Sequence, residues 1–125
     1  MIKQARYDFL IYRGDTPKWT IQLKDVNDET GVESEVDITN FTITGQCRYS
    51  ADSSDILFNL PIVKKDPKKG IIEIVITKQQ SEMLLPVGST QSSESVYDIQ
   101  MTVGTSVWTF LSGGMSIIRD ITRTQ

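Results

Sequence analysis

Along much of this chain, apolar residues fall at every second position in short runs separated by polar, turn-forming segments. Tyr7, Phe9 and Ile11 alternate with Asp8, Leu10 and Tyr12, the two-residue period that sends successive side chains to opposite faces of a strand. Arg13-Gly14-Asp15-Thr16-Pro17 breaks that run. The alternation resumes through Trp19, Ile21 and Leu23, with Thr20, Gln22 and Lys24 between them, and a strand there places the Trp19 indole in the core. Phe41, Ile43, Gly45, Cys47 and Tyr49 share one face of a third strand, and Thr42, Thr44, Gln46 and Arg48 the other. A turn over residues 51–55 precedes a fourth strand over 56–63, with Ile56, Phe58, Leu60 and Ile62 on one face. Pro61 lacks an N–H and marks that strand as an exposed edge or a bulge. The fifth strand, 71–76, sends Ile72, Ile74 and Ile76 inward and Glu73 outward.

The last quarter of the chain is the richest in β-formers. Three runs, 96–103, 107–111 and 115–121, are separated by Gly104-Thr105-Ser106 and Ser112-Gly113-Gly114. They predict a three-stranded antiparallel meander against which the earlier strands pack. Residues 25–40 are acidic and turn-rich, and read as one long surface loop with a short edge segment near 36–38. Residues 64–70, Lys-Lys-Asp-Pro-Lys-Lys-Gly, read as a hairpin loop in which Asp66-Pro67 opens the turn and Gly70 supplies the positive φ. At Thr77 the period changes. Thr77 and Gln80 match a capping box, Met83 and Leu84 supply apolar contacts and Pro86 stops the turn, so a short helix is predicted near residues 78–84. Residues 87–94 form a Gly/Ser-rich flexible loop. Seven to eight short strands with one short helical turn describe an all-β antiparallel sandwich, a single domain over residues 1–125; a small barrel would bury the same faces.

Composition narrows the chemistry. The chain has 125 residues, enough for one core, and a formal net charge of −3, which argues against a nucleic-acid backbone as partner. Histidine is absent, which removes Ser-His-Asp and Cys-His catalysis and most catalytic zinc sites. Cys47 is the single cysteine, so no internal disulfide forms. No apolar run with a small-residue cleavage site opens the sequence, and no run reaches the length of a membrane span, so the chain is expected to act without secretion and without a membrane.

The remaining candidates each have a simpler reading. Set on Asp25, a calcium loop gains Asn27 and Glu29, but Gly31 falls one position late and Val36 stands where a bidentate Glu is needed. Asp8, Glu73, Asp98 and Asp120 lie on strands with nothing to pair them as a glycosidase requires, and read as outward or turn-tying residues. Arg13-Gly14-Asp15 spells the integrin tripeptide, and reads as Arg and Asp bracketing a glycine turn. Lys64, Lys65, Lys68 and Lys69 flank a turn without aromatic residues to stack bases. Cys47 sits on an apolar strand face, as a buried small hydrophobe. Trp108 or Tyr49 would have to be exposed to serve a carbohydrate-binding module. No catalytic, cofactor or metal site is predicted.

Three stretches in order carry a resemblance: YRGDTPKW followed by LKD, DPKKGIIEIVITKQQSEML, and YDIQMTVGTSVWTFLSGGMSIIRDITR. Together they resemble a family of small β-sandwich proteins of tailed bacteriophages, which includes the N-terminal immunoglobulin-like domain of upper baseplate proteins. The resemblance implies an immunoglobulin-like sandwich and a non-enzymatic structural protein of the virion, assembled in the host bacterial cytoplasm. It would be a tail or baseplate component, alternatively a neck or capsid-decoration protein, with other virion subunits and copies of itself as partners. Asp15 and Trp19 match the first motif, Asp66, Pro67 and Gly70 the second, and Tyr97, Asp98, Gly113, Asp120, Thr122 and Arg123 the third. All read as turn-setters, core aromatics and a terminal polar tie.

Overall fold

The computed structural model describes residues 2–89 and 94–122. In chain order the strands are β1 (Ala5–Arg6), β2 (Phe9–Tyr12), β3 (Lys18–Gln22), β4 (Lys24–Val26), β5 (Glu33–Glu35) and β6 (Thr42–Arg48). There follow β7 (Phe58–Asn59), β8 (Ile62–Asp66), a 3-10 turn (Pro67–Lys69), β9 (Ile71–Val75), helix α1 (Lys78–Leu84), β10 (Glu94–Val103) and β11 (Ser106–Ile118). A six-stranded sheet runs β1-β11-β10-β6-β7, with β2 continuing beside β11 beyond β1. A three-stranded sheet runs β3-β9-β8, and β4 and β5 form a separate hairpin.

The fold is an all-β sandwich, and the alternating residues make its core. Phe9, Ile11, Cys47, Tyr97, Ile99, Met101, Met115 and Ile117 face inward from the large sheet, and Ile72 and Ile74 from the small one. Phe9 and Trp19 bridge the two sheets with ring centroids 4.2 Å apart. Trp19 itself is half-buried, packed on the core rather than enclosed by it. Thr77 caps α1 as its spacing predicts: its side chain accepts from the Gln80 N–H while the Gln80 side chain accepts from the Thr77 N–H. Leu84 and Leu85 are buried there, whereas Met83 is 74% exposed.

Several boundaries differ from the expected ones for identifiable reasons. The fourth strand is two, because the chain changes sheets at Pro61: β7 pairs with β6, and β8 pairs with β9. Residues 25–40 are not one loop. β4 pairs with β5, and the Asn27 side chain closes their turn by accepting from the N–H groups of Glu29 (2.9 Å) and Thr30 (3.1 Å). Every residue of β5 is exposed, so no apolar alternation announces it. Residues 36–38 form no strand, but Ile38 is fully buried and its N–H donates to the Pro67 carbonyl at 2.9 Å.

The expected C-terminal meander is a hairpin of β10 and one long β11, because Ser112-Gly113-Gly114 stays in the strand. The N-terminal strands then add to β11 in parallel, Ala5–Arg6 beside Leu111–Ser112 and Phe9–Tyr12 beside Met115–Ile118, where only antiparallel pairing was expected. Gly113 serves close approach, not chain reversal. A Cβ there would lie 2.1 Å from the Tyr7 carbonyl oxygen, well inside van der Waals contact. Gly113→Ala is expected to cost about 3 kcal/mol or more, at the top of the overpacking range, by urea unfolding. The adjacent Gly114→Ala, whose Cβ would meet Asp8 at an ordinary 3.5 Å, should stay within about 1 kcal/mol.

Candidate functional site

Most of the motif residues meet at internal junctions. Between β1 and β2, the Tyr7 N–H donates to the Ser112 carbonyl at 2.9 Å, as a parallel ladder requires. The Tyr7 carbonyl leaves the ladder, crosses over Gly113 and accepts from the Tyr97 hydroxyl. The Asp8 carboxylate takes the vacated place, accepting from the Gly114 N–H at 2.8 Å. Asp8 is thus a ladder substitute, which its position in an alternating run concealed. Burial pushes the Tyr97 phenol well above its ordinary value, and the nearby Asp8 charge adds to the shift.

A second junction gathers all three resembling stretches. Arg13 is 4% exposed; its Nε donates to Asp120 Oδ1 at 2.6 Å and one terminal nitrogen to the Leu85 carbonyl at 3.1 Å. Ser81 is fully buried beneath the turn, accepting from the Gly14 N–H at 3.0 Å and donating to the Asp15 carbonyl at 2.9 Å. The Arg-Gly-Asp tripeptide therefore has its guanidinium turned inward. Sequence reasoning missed Ser81, for which only the helix position was legible.

Gly70 forms the third junction. Its φ is 72°, and a Cβ would lie 2.7 Å from the carbonyl oxygens of both Leu23 and Val36. Pro67 presents its carbonyl to Ile38 and Gly70, and Asp66 ends β8 before the 3-10 turn without a side-chain cap. Asp98 stands apart from the junctions, half-buried on the outer face of β10 between Gln46 and Ser112. Thr122 is exposed at a bend, and Arg123 lies outside the described residues, as do 90–93 of the expected 87–94 loop.

The outer face of the large sheet holds an open polar hollow of about 460 Å³ around Arg6, Thr44, Gln46, Arg48, Asp98 and Ser112. Arg48 is engaged there by the Ser53 carbonyl at 2.8 Å and Gln46 Oε1 at 3.1 Å. Cys47 is fully buried and donates to Ser95 Oγ, which donates to the Met115 carbonyl at 2.7 Å; burial pushes its thiol up, away from the thiolate. Glu73 is held below the usual carboxylate range, chiefly by the Lys65 hydrogen bond. Trp108 is half-buried with its indole N–H given to the Ile2 carbonyl at 3.0 Å, so it is not the fully exposed platform a carbohydrate-binding module would use. Tyr49, the other, is 36% exposed. Among the described residues no cluster of three or more His, Cys, Asp or Glu could hold a metal, and no helix is long and apolar enough to cross a membrane.

The sheet edges distinguish one part of the surface. Exposed backbone groups at an edge recruit other strands, and edges are blunted by lysine, proline or brevity. β3 opens with Pro17-Lys18, β8 carries Lys64 and Lys65, and β7 has two residues with Pro61 just beyond. The hairpin of β4 and β5 is lined with Lys24, Asp25, Glu33 and Glu35. β2, Phe-Leu-Ile-Tyr, has no such guard, and among the described residues it pairs only with β11. Leu10 is 56% and Tyr12 50% exposed on its outward face, with Tyr7, 53% exposed, just before it. Its open edge is the candidate functional site.

Two measurements test the junctions. Asp120→Asn leaves the Arg13 guanidinium without its carboxylate and should cost about 3–5 kcal/mol in urea unfolding. For Tyr97 the raised folded value means that stability is present below about pH 10, where unfolded tyrosine ionises, and falls as pH rises above it. The wild type should lose stability between neutral pH and about pH 11, and Tyr97→Phe should lose measurably less over the same interval.

Comparison with known proteins adds no identity: no family model matches the chain, and no curated protein matches it.

Proposed function

We propose that this chain is a non-enzymatic structural protein of a bacteriophage virion, a tail or baseplate component that joins subunits or carries receptor-binding proteins. The observation that carries the assembly reading is the unguarded β2 edge, apolar and open where the other edges are blunted. Strand addition to such an edge gains main-chain hydrogen bonds, while its alternate side chains select the partner. The motif resemblance supplies the virion setting, and its residues support a rigid scaffold: Arg13–Asp120, Tyr97–Tyr7 and Gly70 fix the sandwich from within. The carbohydrate-binding alternative would rest on Tyr49, which is 36% exposed, and on the part of the half-buried Trp108 ring that reaches solvent.

The test is mass spectrometry of gradient-purified particles, with immunogold electron microscopy and a Leu10→Lys variant. Peptides of this chain in the particle and gold at the tail tip are expected, and the folded Leu10→Lys protein should be excluded from particles. Gold over the head or neck would retain the virion class and replace the tail assignment with decoration or a connector. Absence from particles despite abundant protein in infected cells would sink the structural reading.

A further inference from the structure

The β2 edge has a feature that identifies its occupant: it is complementary to itself. In extended backbone the N–H and C=O of one residue point to the same edge, and successive residues alternate. The N–H groups of Tyr7 and Arg13 point to β11, donating to Ser112 and Ile118 at 2.9 and 2.8 Å. The residues of opposite parity, Leu10 and Tyr12, therefore present their N–H and C=O groups to the open side. Asp8 has the same parity, but its side chain is drawn back to Gly114. The Tyr12 carbonyl accepts from Asp15 at 3.0 Å and keeps a second lone pair.

We propose that β2 pairs with β2 of a second copy of this chain, antiparallel about a two-fold axis at Ile11. This inference rests on the assembly reading and names its partner. In that register Leu10 faces Tyr12 of the second copy and Tyr12 faces its Leu10, each a hydrogen-bonded pair whose backbone groups already point outward. The exposed side chains then form two aliphatic–aromatic pairs on one face, a favourable cross-strand combination. Phe-Leu-Ile-Tyr is uncharged, so the two-fold brings no like charges into register. Charged groups meet only at the ends, where the exposed Asp15 turn that follows one β2 falls beside the exposed Arg6–Asp8 ion pair that precedes the other. Pairing with any other edge of a second copy would set β2 against lysine, proline, a two-residue strand or the acidic three-residue β5.

Sedimentation velocity over roughly 10 µM to 1 mM tests this, the range suited to an interface of small area. The wild type should move from monomer to dimer with concentration. Leu10→Lys should remain monomeric throughout, and Val63→Lys, on the already lysine-bearing β8 edge, should dimerise like the wild type. Protection of the native Cys47 thiol from a thiol reagent certifies that each variant is folded. Amide hydrogen exchange supplies the second readout: Leu10 and Tyr12 N–H should slow at least several-fold between the dilute and concentrated samples. Wild-type protein that stays monomeric at the highest concentration overturns self-pairing, as does a Leu10→Lys protein that dimerises normally. A monomeric wild type whose Leu10→Lys variant is nonetheless excluded from particles would assign the edge to a different subunit, leaving the assembly reading standing. A variant incorporated as well as wild type would remove the edge from assembly altogether.

Discussion

Where the chain passes Gly113, the Tyr7 carbonyl occupies the space a side chain would need, and this contact sews the first strands to the last. Its partners lie far apart in sequence: the Asp8 bond to Gly114 spans 106 positions. Once Tyr7 and Asp8 are fixed, β2 continues along β11 and carries Phe9 and Ile11 into the core. Phe9 then meets Tyr97 at 4.9 Å and Trp19 at 4.2 Å, so the same crossing couples the two sheets. Beyond Tyr12 it delivers Arg13 to Asp120, a buried charge that is costly unless paired and hydrogen-bonded. The N-terminal edge, the inter-sheet aromatics and the Arg13 junction thus depend on one missing Cβ.

That dependence explains what the sequence showed and what it hid. Strands buried on one face alternate, so β2, β3, β6, β9 and β10 were legible, and the Thr77–Gln80 spacing located α1 between its observed bounds. Signals failed where one residue type serves opposite geometries. Gly113 read as a turn because glycine permits reversal, yet here its absent side chain admits another segment of backbone. Ile56 through Ile62 alternate without interruption, but Pro61 lets the chain leave one sheet and enter the other, and a period of two cannot tell which neighbour a strand chooses. β4 and β5 lacked apolar contrast because their hairpin projects from the core.

The candidate site was less legible than the fold. Leu10 and Tyr12 appeared in the sequence as the opposite face of an ordinary strand, and nothing in that alternation states whether the face meets solvent or another layer. Their significance needs the topology, which places β2 at the margin of the large sheet, and a comparison with the other margins. Asp15, Pro67 and Gly70, by contrast, were recognisable as turn residues because their constraint is local. The roles of Tyr97, Gly113 and Asp120 are long-range, and their partners Tyr7 and Arg13 come from the opposite end of the chain.

The distribution of guards also bears on what kind of assembly can follow. An edge that pairs with a different edge of the next copy makes a heterologous contact, which propagates into a filament unless the rotation closes. The large sheet would do this if β7, at its other margin, were as open as β2. β7 has two residues, and Pro61 follows where a longer strand would need another N–H. With that margin closed, the large sheet would extend from the margin that β2 shares with the two-residue β1, and a contact of β2 with itself would use up the open groups of both copies. Such a contact would end at two. In that arrangement the brevity of β7 and the apolar face of β2 would work together: one would prevent indefinite growth of the sheet, and the other would provide for a single, closed extension.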